Sequence, residues 1–110
     1  MARKKAYRFG QPSGVANVVQ TVCADYQRRG EVIRKKNAPC AVRTVYVYIN
    51  EKIDSSLGVI EEGTRLQMLA DIGMGRGYDF SPLSLVMAKN TYYKRKRATV
   101  EEIARSLNLI

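Results

Sequence analysis

From Val15 to Ile60 apolar side chains return at steps of three and four residues, a rhythm that an α-helix turns into one continuous face. Val15, Val18, Val19, Val22, Cys23, Tyr26 and Ile33 lay the first stripe. With Ser13 as N-cap, they predict a helix running to about Lys36, with Gly30 as its weak point. Arg28, Arg29, Arg34, Lys35 and Lys36 fall on the other faces and read as a solvated surface. Asn37-Ala38-Pro39 breaks the pattern. Beyond it, Thr44-Val45-Tyr46-Val47-Tyr48-Ile49 has the β-branched and aromatic composition of a strand. The longer stripe Val42, Val45, Ile49, Ile53, Leu57 and Ile60 overrides that local preference. It predicts a helix over about 40–57, paired with the first as an antiparallel hairpin.

A third, shorter helix is expected around Leu66, Met68, Leu69 and Ile72. It should end at Gly73-Met74-Gly75-Arg76-Gly77, since three glycines in five residues do not sustain a helix. That run lacks the Lys-Ser/Thr of a Walker loop and the preceding strand of a dinucleotide fingerprint, so it reads as a sharp connection. Ser81-Pro82 then opens a short apolar helix of about two turns with Leu83, Leu85, Val86 and Met87. A brief turn at Ala88-Lys89 leads into a last helix from near Asn90 to Leu107. Short helix, tight turn and long basic helix is the order of a helix-turn-helix.

At 110 residues there is room for one compact domain. The expected class is all-α, an N-terminal helical hairpin followed by a C-terminal helix-turn-helix. Within it, residues 1–12 form a basic arm, 13–73 a helical region with a candidate partner or oligomerisation surface, and 78–110 the helix-turn-helix. The arm carries Arg3, Lys4 and Lys5 and is either a reach toward a DNA backbone or a solvated tail.

The charge balance narrows the partner. Nineteen Lys and Arg against ten Asp and Glu give +9, which favours a polyanion. The chain has no histidine, and Cys23 and Cys40 stand alone, which disfavours zinc and removes the commonest general base. Asp71, Asp79, Glu61 and Glu62 do not fall into a catalytic pattern. A non-enzyme without cofactor or metal is expected. No apolar run approaches the roughly 18 residues that span a bilayer, so a cytoplasmic protein without membrane contact is expected.

On the last helix, Val100, Ile103, Ala104 and Leu107 share one side, and a step of seven back from Val100 adds Tyr93 as a packing residue. The opposite side carries Thr91, Lys94, Arg95 and Ala98, with Tyr92 at the flank. Lys94-Arg95-Lys96-Arg97 concentrates charge in the first half, and Glu101 and Glu102 come later. Arg95 can fork onto guanine O6 and N7, and Lys94 can reach the same edge or a phosphate. Asn90 either pairs with adenine or caps the helix, and Thr91 can touch a thymine methyl or a phosphate. Lys89, Tyr92, Lys96 and Arg97, with Arg3, Lys4 and Lys5, are candidates for phosphate contacts that set register.

The segment from Met87 to Ala98, with Thr91, Tyr92, Tyr93 and the 94–97 basic cluster, running on to Ile103-Ala104-Arg105-Ser106-Leu107, resembles a known unit. It is similar to the C-terminal helix-turn-helix of phage late-gene transcription regulators of the ArpU and RinA type, relatives of sigma-factor region four. Ala88 stands where that family has a capping serine, which shifts the expected helix start toward Asn90. The resemblance implies sequence-specific binding of double-stranded DNA in a bacterial host, in association with the nucleoid. It also implies contact with host RNA polymerase through the N-terminal helices. The alternative is a small terminase-like packaging protein, binding phage DNA as a homo-oligomer built on the helical hairpin.

Overall fold

The computed structural model describes residues 7–35 and 38–110, and it is all-α. Five helices carry the fold: α1 (Ser13–Ala24), α2 (Tyr26–Lys35), α3 (Cys40–Ser56), α4 (Arg65–Met74) and α5 (Lys89–Ser106). Residues 44–49 are helical, as the long stripe requires and the local strand preference does not. No helix of the described residues is long and apolar enough to cross a membrane.

The first predicted helix is two. It breaks at Asp25 rather than at Gly30, which lies inside α2. Aspartate is a poor interior residue and a good helix opener. Here the Asp25 carbonyl accepts from the Arg29 amide at 3.0 Å, and its carboxylate accepts from Arg28 Nε at 2.6 Å. The break divides the packing. α1 lies on α4, and α2 alone pairs with α3 as the hairpin.

Arg29 fastens this junction and is buried, not solvated as its place in a basic run suggests. Its Nε donates to Asn50 Oδ1 at 2.7 Å and its Nη2 to the Val22 carbonyl at 2.5 Å. One guanidinium thereby ties α1, α2 and α3 together. The crossing of α1 and α4 depends on Gly73, which is helical. A Cβ there would stand 2.6 Å from Ala24 Cα, so only glycine lets the backbones come this close. α4 ends two residues later on Gly75, whose φ of 67° is the left-handed closure glycine favours.

Residues 7–12 are not an unpaired arm. Tyr7–Arg8 (β1) and Gln11–Pro12 (β2) form a minimal antiparallel ribbon, Tyr7 opposite Pro12 and Arg8 opposite Gln11. Arg8 Nη2 donates to Asn17 Oδ1 at 3.0 Å and Gln20 Oε1 at 2.6 Å, docking the ribbon on α1. Phe9 packs against the core, which gathers Val19 and Cys23 of α1, Ile53 of α3, Met68 and Ile72 of α4, and Val100 and Ile103 of α5.

Candidate nucleic-acid interface

The segment leading into α5 departs from a helix-turn-helix. Ser81 does cap, its Oγ accepting from the Leu83 amide at 3.1 Å, and Pro82 takes the first helical position. The cap opens only a single 3₁₀ turn, Pro82–Leu85, in place of the two-turn helix that the sequence predicts. Leu83 points into the core, but Leu85 and Val86 are 87% and 69% exposed. Leu85, two residues on, points away from the face that buries Leu83, and Val86 lies past the end of the turn, at its C-cap.

α5 itself begins and ends within a residue of expectation. Its N-cap is Ala88, whose side chain closes no hydrogen bond, and Asn90 lies in the first turn rather than at the cap. Val100, Ile103 and Ala104 are fully buried, and Tyr93 and Leu107 are partly buried against them.

Two of the phosphate-contact candidates are instead interior. Tyr92 is 0% exposed and donates its hydroxyl to Asp71 Oδ2 at 2.8 Å. Lys96 is 2% exposed, and its Nζ donates to the Arg76 carbonyl at 2.5 Å. The rings of Phe9, Tyr92 and Tyr93 surround that ammonium at 5.2, 5.4 and 6.0 Å, within reach of cation–π attraction. Burial pushes the Lys96 pKa down, and the Asp71 carboxylate partly offsets this. Asp71 is itself fully buried, held also by Gln67 Nε2 at 2.9 Å and Arg76 Nη1 at 3.3 Å. Burial and the Asp71 bond raise the Tyr92 pKa above its ordinary value. The spacing carries a signal for this. Lys96 precedes Val100 by four and Ile103 by seven, which puts it at the centre of the apolar face.

With Tyr92 and Lys96 inward, the outward line of α5 rotates from the predicted one. Asn90, Lys94 and Arg97 are exposed along a single ridge, with Lys89 exposed in the first turn. Glu101 is the next exposed residue along that line. Thr91 and Arg95 fall to the side and are partly buried. They line a recess of about 400 Å³ together with Glu61, Thr64, Leu83 and Val86. There Arg95 Nη1 meets Glu61 Oε1 at 2.9 Å, and the arginine side chain is 31% exposed. Of the base-reading candidates, Asn90 and Lys94 therefore stand on the ridge, joined by Arg97, while Thr91 and Arg95 face a recess. Arg3, Lys4 and Lys5 lie outside the described residues.

Comparison with family models, curated proteins and solved structures gave no match to this chain.

Proposed function

We propose that this chain binds duplex DNA through the exposed ridge of α5 and acts as a sequence-specific transcription regulator of phage or prophage late genes. One observation carries the DNA reading. Asn90, Lys94 and Arg97 form an outward line on the first half of a helix whose opposite face is locked into the core. A major groove about 12 Å wide admits such a helix, and the groove edge of bases offers partners for Asn and Lys. Arg97 and Lys89 suit the flanking phosphates, and the N-terminal end of the helix adds favourable dipole charge toward an anion. The net charge of +9 supports the same partner. The assignment to late-gene regulation rests on the resemblance of the Met87–Leu107 segment.

The test is selection of bound sequences from random duplex at two salt concentrations. A recovered motif, with affinity falling as salt rises, is the expected result. Equal affinity for unrelated duplexes at about 150 mM salt would remove sequence-specific regulation, since phosphate contacts alone account for such binding. Lys94→Ala should cost about 1–3 kcal/mol on the selected site if it reads a base, and less on other sequences.

A further inference from the structure

We propose that the recess beside Thr91 and Arg95 seats a phosphate of the DNA backbone, and that the Glu61 carboxylate holds this seat until the phosphate displaces it. The proposal rests on the duplex-binding reading of α5 and adds a contact to it.

Arg95 follows Lys94 by one residue, which turns it about 100° round the helix from that ridge position. Thr91 lies one turn earlier on the same flank. A helix about 10–12 Å across fills a major groove about 12 Å wide, so its flanks run against the sugar-phosphate rails while its ridge meets the bases. The flank that carries Arg95 is hollowed. Leu83, Val86 and Met87 supply apolar walls to the recess of about 400 Å³, and Thr91 and Arg95 supply donors. At 31% exposure the arginine side chain is shielded from much of the solvent, which strengthens a charge contact made there. A guanidinium fork matches the two free oxygens of a phosphodiester, and a threonine hydroxyl can donate to one of them.

The seat is held by an acid that can leave. Among the described residues, Arg95 is the one cation of the 94–97 run in an ion pair, its Nη1 2.9 Å from Glu61 Oε1. The Glu61 side chain is 69% exposed. Its backbone is fixed separately, the carbonyl accepting from the Thr64 amide at 3.0 Å and the Thr64 hydroxyl at 2.9 Å. The carboxylate is therefore free to swing into water without disturbing the turn. Left in place, it would set a negative charge against the rail. Duplex binding then exchanges one anion for another on Arg95, and affinity is lowered by the worth of the pair given up.

The test is fluorescence anisotropy of the full chain on a labelled duplex of random sequence, over a series of salt concentrations. Glu61→Gln keeps the size of the side chain and removes the competitor. Glu62→Gln, at the exposed neighbouring position, removes the same charge without releasing Arg95. Glu61→Gln should bind about two- to five-fold more tightly than Glu62→Gln, the range set by the modest worth of an exposed ion pair. Both glutamates are exposed, so this comparison holds even where Arg95→Ala weakens the fold. In an Arg95→Ala background the difference should vanish, and Arg95→Ala alone should lower the slope of log affinity against log salt by about one. That loss should be the same on duplexes of unrelated sequence, since a phosphate contact carries no sequence information. Inorganic phosphate at constant ionic strength should leave the Arg95 effect in place. Equal affinities of Glu61→Gln and Glu62→Gln, a gain that persists without Arg95, a loss that depends on sequence, or an Arg95 effect abolished by inorganic phosphate would each overturn the proposal. Absence of binding by the parent at low salt is a different failure, which removes the duplex reading of α5 and this contact with it.

Discussion

The hydroxyl of Tyr92 on α5 donates to the fully buried carboxylate of Asp71 on α4 at 2.8 Å, a buried link between the two helices. Tyr92→Phe removes that donor and leaves Asp71 with Gln67 and Arg76. A buried carboxylate short of one partner costs about 1–3 kcal/mol. Urea unfolding should record a loss of that size. DNA affinity measured well below the unfolding midpoint should change little, because the tyrosine does not face the ridge.

Lysines two positions apart should behave in opposite ways. Lys94→Ala removes a base-reading cation from the ridge and should lower affinity for the selected site, while Arg97→Ala removes a phosphate contact and should lower the slope of log affinity against log salt by about one. Lys96→Met removes a buried cation bonded to the Arg76 carbonyl and enclosed by three rings. It should alter thermal stability while leaving the salt slope as in the parent. A slope reduced by Lys96→Met to the same degree as by Arg97→Ala would return Lys96 to the DNA surface.

Alkaline pH should destabilise the fold through Cys23. Burial raises its thiol pKa from 9.0 to about 12, with Arg29 pulling weakly the other way. Below pH 9 the thiol is protonated in both states and contributes nothing to the slope. Between pH 9 and about 12 the unfolded chain has lost this proton and the folded chain retains it. Stability therefore falls as pH rises, by about 1.4 kcal/mol per pH unit for one group. Tyr26, raised to about 12 by burial and its bond to Asp54, adds a loss in the same direction that begins nearer pH 10. Denaturant titrations at pH 8.5–10 should show this decline in the parent and a flatter curve in Cys23→Ala.

Two glycine-to-alanine changes in helices should have opposite signs. At Gly14, in the first turn of α1, a Cβ meets nothing within 4 Å. Alanine there should stabilise by about 0.5–1 kcal/mol through reduced unfolded-state freedom. At Gly73 the same Cβ would press on the Ala24 backbone at 2.6 and 2.7 Å. The helices would have to part, at a cost of about 1–3 kcal/mol or more. Thermal melts of the two variants separate the effects.

The sequence alone determined the helices of Cys40–Ser56 and Lys89–Ser106, because spacing along one helix is a local property that outweighs the strand preference of residues 44–49. It also located the apolar anchors Val100, Ile103 and Ala104. The break at Asp25 carried little signal against Gly30, and the isolated 3₁₀ turn at Pro82–Leu85 looked like a helix from its cap. The tertiary structure alone decided which charges face outward. Arg29 and Lys96 belong to basic runs, and chemistry by itself assigns them to solvent. They can be buried because distant groups meet them: Asn50 and the Val22 carbonyl for one, the Arg76 carbonyl, Phe9 and Asp71 for the other. A buried charge is tolerable only with such partners, and partners far along the chain become neighbours only on folding.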